Sequence, residues 1–275
     1  VRTKANAIIT ACDARYGDFL ARHWLRSIRE NVDLREIDVI VLDFGLEPKQ
    51  RAELEGAVLV PARREGRINV ARRLETARLL RERDYDQVLT VDGGDVIFQK
   101  DVSHLFARDK DSFRGVQERY PIPLGFFLRG APRPLREEVR TRLGSRYMIN
   151  GGFILGPARK MRELGESVAP YLPHFKHDQP IVSSFLYQGG FEPLDETYNL
   201  VPWTTRDRFF VDQGFFYASD GEKLAVVHNT GHTAPTRIVA DFGYGPGHNT
   251  RLRRIYLRIS STYRKLARGS SSAAS

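Results

Sequence analysis

The sequence predicts an α/β protein built on a mostly parallel sheet with helices on both faces. Three observations carry that expectation. Short, near-continuous apolar runs alternate with segments whose apolar residues recur every three or four positions, the pattern of buried strands and amphipathic helices. Apolar residues make up 41% of the 275, enough for a sizeable core. A single cysteine, Cys12, excludes an intramolecular disulfide framework and any Cys-rich zinc module.

In order along the chain, residues 7–12 read as a first strand, 13–18 as a turn and 19–31 as a helix with Phe19, Trp24 and Ile28 inward. Residues 39–42 read as a second strand, stopped by Asp43-Phe44-Gly45, with a helix over 48–54 and a third strand over 58–60. A helix over 69–83 carries Leu74, Ala77 and Leu80 on one side, and 87–91 is a fourth strand. Residues 119–134, rich in Pro, Gly and Phe, read as loop. The sheet resumes at 152–155, a helix follows over 158–171, and 224–227 is a last strand-like run. No internal repeat is visible.

The formal net charge is +9, and its source is local. Arg251, Arg253, Arg254, Arg258, Arg264, Lys265 and Arg268 have no acidic residue among them, and without these seven the charge falls to +2. Leu252, Ile255, Tyr256, Ile259, Tyr263 and Leu266 share one helical face. Residues 249–268 are therefore expected to form a basic amphipathic helix. It can be an ordinary last helix that caps the core, or a surface for anionic lipid. A near-neutral body argues against a wide phosphate-binding face, so no nucleic-acid partner is expected. No apolar run approaches the roughly 20 residues of a membrane span, and the first residues do not read as a signal peptide. The expectation is a soluble, cytoplasmic protein, peripheral on the inner face of the membrane where 249–268 docks there. Residues 269–275, small and polar, are expected to be a disordered tail.

The most informative stretch is Val91-Asp92-Gly93-Gly94-Asp95-Val96-Ile97-Phe98. In open α/β sheets ligands bind beyond the carboxyl ends of strands. Two carboxylates placed there repel unless a positive charge lies between them, and a divalent cation that prefers hard oxygen ligands suits the gap. The glycines let the chain turn and a ligand approach. A solvated turn, with Asp and Gly as turn formers, is the alternative.

Four more stretches stand in order on the same chain: Asp13-Ala14-Arg15-Tyr16, Asn150-Gly151-Gly152-Phe153, His177-Asp178-Gln179-Pro180, and His228-Asn229-Thr230-Gly231-His232-Thr233-Ala234-Pro235. Singly, each has an ordinary reading as a helix start, a turn, a cap or a satisfied buried histidine. Together with Asp92 and Asp95, their order and spacing resemble the nucleotide-sugar glycosyltransferases of the GT-A fold. The pattern is similar to the family-eight galactosyl- and glucosyltransferases and to the glycosyltransferase domains of collagen lysyl hydroxylases.

That resemblance implies a Rossmann-like GT-A domain over residues 1–248, with a mixed, mostly parallel central sheet flanked by helices. It implies a metal-dependent transfer of a hexose from a nucleoside-diphosphate sugar, UDP-linked, to an acceptor hydroxyl. The acceptor class stays open among carbohydrate, lipid-linked, protein and small-molecule hydroxyls. Mn²⁺ or Mg²⁺ would be held by Asp92, Asp95 and His228. Asp92 and Asp95 match an Asp-x-x-Asp form, whereas the tighter Asp-x-Asp form puts Gly93 at the first acidic position. Asp13 and Tyr16 would hold the base, a carboxylate accepting from its edge and a ring stacking on its face. Gly93, Gly94 and Gly231 would give the diphosphate room. Asn150, Asp178 and Gln179 would hold the donor sugar and the incoming hydroxyl, and Arg73 the sugar and the acids. Arg72, its neighbour, is expected in solvent. Asp178 is the nearest carboxylate if one assists. Where the family has a Lys on the diphosphate, Ala234 stands, which leaves Arg237 or His232 to supply the cation. Family eight implies retention of anomeric configuration, and the likeness to lysyl hydroxylases leaves the stereochemistry open.

Two other classes compete. A sugar-nucleotide nucleotidyltransferase of related fold would begin with a Gly-rich basic loop, and Asp13-Ala14-Arg15-Tyr16-Gly17 lacks that glycine cluster. A non-enzymatic nucleic-acid- or membrane-binding module has the basic tail alone in its favour.

Overall fold

The structure, a computed structural model, describes residues 4–64, 68–119, 123–175, 177–202, 204–230 and 242–244. The segments expected as a basic helix (249–268) and a tail (269–275) lie outside the described residues. Among the described residues, no helix is long and apolar enough to cross a membrane.

Strands β1 (Asn6–Cys12), β2 (Ile37–Asp43), β3 (Val58–Pro61) and β4 (Gln87–Val91) run parallel in the spatial order β3-β2-β1-β4. Next along the chain come β5 (Val96–Phe98), which leaves this sheet, then β6 (Phe113–Glu118), β7 (Met148–Pro157) and β8 (Phe191–Pro193). Strand β7 is inserted antiparallel between β4 and β6, and β8 closes the edge parallel to β6. The seven-stranded sheet is therefore mixed and mostly parallel, ordered β3-β2-β1-β4-β7-β6-β8, as the sequence predicts. Two ribbons complete the strands: β9 (Phe209–Asp212) with β10 (Phe215–Ala218), and β11 (Val226–His228) antiparallel to β5.

Helix α1 (Ala14–Phe19) passes through a π-wound segment, Leu20–Leu25, into α2 (Arg26–Asn31). The turn expected over 13–18 is thus helical, and Asp13 caps it, its carboxylate accepting from the Arg15 N–H at 3.2 Å. Helix α3 (Pro48–Glu53) opens with a proline in its first turn and a Glu47/Gln50 capping box. Then follow α4 (Ile68–Glu82), α5 (Leu124–Phe127), α6 (Arg133–Leu143), α7 (Ala158–Val168) and α8 (Gln179–Gln188). The stretch 119–134, expected as loop, holds α5 and the start of α6. Its prolines sit at helix entries, where a missing N–H costs nothing, and Leu135, Val139 and Leu143 give α6 its inward face.

The core lies on both faces of the sheet. One face buries Ile8, Phe19, Trp24, Phe98 and Phe153, and the other buries Ile9, Ile40, Val139, Ile154 and Ile181. Helix α4 departs from its predicted stripe. Leu74 is half-buried, whereas Arg73 and Thr76 are buried with Ala77 and Leu80. The cause is α7, which crosses α4 at Gly165, where a Cβ would come within 2.5 Å of the Arg73 carbonyl and 2.9 Å of Ala77. That contact turns the Arg73 side of α4 inward, onto the strand ends.

Candidate functional site

Strand β4 ends at Val91, and its last ladder bond holds the next residue: the Asp92 N–H donates to the Gly152 carbonyl on β7 at 3.0 Å. Asp92-Gly93-Gly94-Asp95 then bends the chain out of the sheet into β5. Both glycines are close-approach positions. A Cβ at Gly93 would lie 2.6 Å from the Thr10 hydroxyl, and one at Gly94 would lie 3.0 Å from the Tyr16 ring. The ribbon partner of β5 delivers the third group. In the β5–β11 register His228 faces Val96, and the Asn229 N–H donates to the Asp95 carbonyl at 2.9 Å. A histidine 133 residues downstream in sequence is thereby fixed beside the turn.

His228 Nε2 lies 3.2 Å from Asp95 Oδ1 and 3.5 Å from Asp92 Oδ2. One ligand atom from each of the three residues falls within 4.8 Å of the others, and among the described residues no other set of three such groups does so. An octahedral ion ligated at about 2.1 Å places neighbouring donors about 3 Å apart, and the two separations from His228, 3.2 and 3.5 Å, are close to that spacing. Two carboxylate oxygens and an imidazole suit Mn²⁺ or Mg²⁺ chemically. The backbone leaves space for the group: a Cβ at Gly152 would collide with His228 Cε1 and lie 2.7 Å from Asp92 Oδ2. Burial penalises charge on His228, but Asp95 and then Asp92 outweigh it and raise its proton affinity above the ordinary value. Burial likewise opposes the Asp92 charge, yet Arg72 and then His228 hold its pKa well below the carboxylate range.

The second layer comes from α4. Arg73 Nη2 donates to the Gly151 carbonyl at 2.6 Å and lies 3.7 Å from Asp178 Oδ2. Burial, and the neighbouring guanidinium of Arg72, push the Arg73 pKa down to about 10. Arg72 is not solvated as expected. Its Nη1 pairs with Asp92 Oδ1, and its Nη2 lies 3.6 Å from Asp178 Oδ2 and 3.4 Å from the Gly151 carbonyl. Asp178, immediately before α8, also accepts from Asn69 Nδ2 at 3.5 Å. Asn150 Oδ1 accepts from the Gly152 N–H at 2.8 Å, so this side chain shapes the strand that faces the cluster.

Asp13 and Tyr16 sit on the first turn after β1. Asp13 caps α1 and has Arg64 Nη1 at 3.6 Å, and Tyr16 packs over Gly94. The structure thus brings Arg73, Asp92, Gly93, Gly94, Asp95, Asn150, Asp178 and His228 to one crevice, with Asp13 and Tyr16 at its β1 side. Gly231, His232, Ala234 and Arg237 lie outside the described residues. Gln179 opens α8 and donates through Nε2 to Glu118 Oε2 at 2.5 Å. Glu118 escaped the sequence reading. It is a buried carboxylate that ends β6, and Thr204 Oγ1 also donates to it, at 3.4 Å. The available signal was an acid closing a strand, hidden because Arg114 and Gln117 break the apolar run.

The fold and site define a GT-A architecture with a candidate divalent-metal cluster at its sheet crevice. Two solved structures of LgtC share that architecture. An active-site mutant of LgtC superposes with a TM-score of 0.56 at 19% identity, covering 92% of this chain and 95% of its own. The galactosyltransferase LgtC in complex with donor and acceptor sugar analogs gives 0.52 at 18% identity, covering 91% and 95%. No protein-family model matches the sequence, and no curated protein does.

Proposed function

We propose that this protein is a metal-dependent glycosyltransferase that takes a hexose from a nucleoside-diphosphate sugar, UDP-linked, and passes it to an acceptor hydroxyl. The observation that carries the reading is the convergence of Asp92, Asp95 and His228 at the end of β4, in a fold shared with a galactosyltransferase. Mn²⁺ or Mg²⁺ held by these three residues would supply Lewis-acid stabilisation for a leaving diphosphate. The chain's own residues do the rest. Tyr16 offers a ring and Asp13 a carboxylate to a nucleobase, next to the Gly93-Gly94 turn that leaves a diphosphate room. Asp178 and Gln179 face the sugar as acceptor and as amide, and Arg73 anchors Asp178 from below. Glu118 accepts from Gln179 Nε2, which fixes the face that the amide presents. Residues 249–268 serve as a contact with anionic membrane that brings the protein to its acceptor from the cytoplasmic side.

Calorimetry tests the reading. UDP binds the protein in the presence of Mn²⁺ and loses most of its affinity without the ion or in Asp95→Ala. Absence of binding by UDP, GDP, CDP and ADP alike, with Mn²⁺ or Mg²⁺ present, would overturn it.

A further inference from the structure

The Arg72–Asp92 pair lies inside the candidate metal cluster, and the sequence match does not require it: the motif position is Arg73. Arg72, partly buried on α4, divides its fork between two carboxylates, Nη1 on Asp92 and Nη2 3.6 Å from Asp178 Oδ2. Asp92 is divided in turn. Its Oδ1 takes Arg72, while its Oδ2 faces His228 at 3.5 Å. A ligand carboxylate whose other oxygen is already paired to a fixed cation has given up much of its attraction for a second one. A guanidinium bridged through one carboxylate to a divalent ion also repels that ion across a few ångströms of poorly solvated space. Asp95 then remains as the only carboxylate of the cluster with no arginine paired to it in the described residues.

We propose that Arg72 is a permanent second cation on Asp92, and that by half-neutralising this ligand it makes divalent-ion binding depend on the diphosphate that arrives with the ion. The inference rests on the function proposed above and adds to it an order. The cluster holds an ion poorly alone and well once a nucleoside diphosphate contributes its own oxygens and negative charge. Because the same guanidinium also reaches Asp178, the metal carboxylate and the donor-sugar carboxylate are tied to one side chain. Loading the ion is thereby coupled to the residue that meets the sugar.

The test reads Mn²⁺ binding directly, by electron paramagnetic resonance of free Mn²⁺, with and without UDP. In the unaltered protein saturating UDP tightens Mn²⁺ at least a hundredfold. Arg72→Met, which keeps length and loses charge, binds Mn²⁺ alone at least tenfold tighter than the unaltered protein, and the benefit of UDP shrinks by the same factor. Arg72→Lys, which keeps the charge, stays within a fewfold of the unaltered protein. The sign discriminates, since a residue that only positions Asp92 would weaken the ion when removed. Equal or weaker Mn²⁺ binding by folded Arg72→Met overturns the inference and leaves the proposed function intact. If Arg72→Met does not fold, the unaltered protein decides: Mn²⁺ binding as tight without UDP as with it overturns the inference. Failure of Mn²⁺ and Mg²⁺ to bind with any of UDP, GDP, CDP or ADP overturns the proposed function, and the inference falls with it.

Discussion

Gly152→Ala isolates the geometry of the cluster with one methyl group. The new Cβ would lie 2.7 Å from Asp92 Oδ2 and overlap His228 Cε1, where ordinary contact begins near 3.4 Å. His228 has nowhere to retreat: it is 3% exposed and held by the β5–β11 pairing and by its N–H bond to the Leu200 carbonyl at 2.8 Å. Strand β7 is equally fixed, bonded to Asp92 through the Gly152 carbonyl and paired with β4 and β6 on its two edges. The strain therefore falls on Asp92, which is partly exposed and must shift by most of an ångström. Overpacking of this kind costs about 1–3 kcal/mol. In a chain of this size that is a fall of roughly 2–10 °C in Tm. The functional loss is larger in proportion, because one of three donors leaves a set that needs spacings of about 3 Å. UDP affinity in the presence of Mn²⁺ should fall about 10–100-fold, the range seen when a ligand's support is lost. Calorimetry and a thermal melt on the same samples read both effects. Gly151→Ala is the comparison, since its Cβ would lie 3.3 Å from Arg73 Nη2 and 4.0 Å from Arg72 Nη2 and would touch neither Asp92 nor His228 at close range. Gly152→Ala that binds UDP and Mn²⁺ within twofold of the unaltered protein would refute the assignment of Asp92 and His228 to one ion.

Three further outcomes follow from the same structure. His228 has its proton affinity raised above 6.5 by Asp95 and Asp92 against the opposing burial, so in metal-free protein its contribution to stability is complete below about pH 6.5 and is lost as pH rises through the raised folded value. Urea melts across that window should show stability declining with pH, a slope absent in His228→Gln, and Mn²⁺ affinity should climb over the same range as the ion displaces the proton. Arg114 is buried, among the described residues in no ion pair, and donates to the carbonyls of Leu105, Arg108 and Ser112 and to Gln87 Oε1. Arg114→Leu strands those acceptors and should cost about 2–4 kcal/mol in denaturant melts, with UDP affinity unchanged in whatever fraction folds. Deleting residues 249–275 should abolish co-sedimentation with phosphatidylserine vesicles and spare UDP binding, and unchanged co-sedimentation would remove the membrane role.

What was legible in the sequence, and what was not, has physical causes. Residues 87–91 read as a strand and are one, because five consecutive buried positions between charged flanks leave no other reading. Strand β6 was hidden by Arg114, whose buried guanidinium is satisfied by backbone carbonyls and so looks polar in a position that is core. Helix α6 was hidden by prolines that mark helix entry as well as loop. Asp92 and Asp95 were legible as a pair because the turn is local. His228 was legible only through a motif resemblance, since its place depends on a ribbon between segments 133 residues apart. Glu118 had no such motif. Its position relative to Gln179 follows from β6 lying beside β7 and α8 packing over them, which no local pattern encodes.

Arg72 and Arg73 illustrate the limit most clearly. Adjacent residues on a helix point about 100° apart, so a one-sided amphipathic reading sends one inward and the other to water. That reasoning fails where a helix begins over the mouth of a sheet, because there both directions meet protein: Arg73 reaches Gly151 and Asp178, and Arg72 reaches those two groups and Asp92. A buried guanidinium beside a partly buried one is tolerable only if acids compensate them, and the acids that do so are the candidate site's own carboxylates. Removing Arg73 would take one of two neighbouring guanidiniums from the buried Asp178, a loss above that of an exposed ion pair. The charge balance of the crevice is therefore not a surface property that could drift freely. It ties α4, the β4 turn and the start of α8 into one electrostatic unit, and a change to any one carboxylate should be felt at the other two elements.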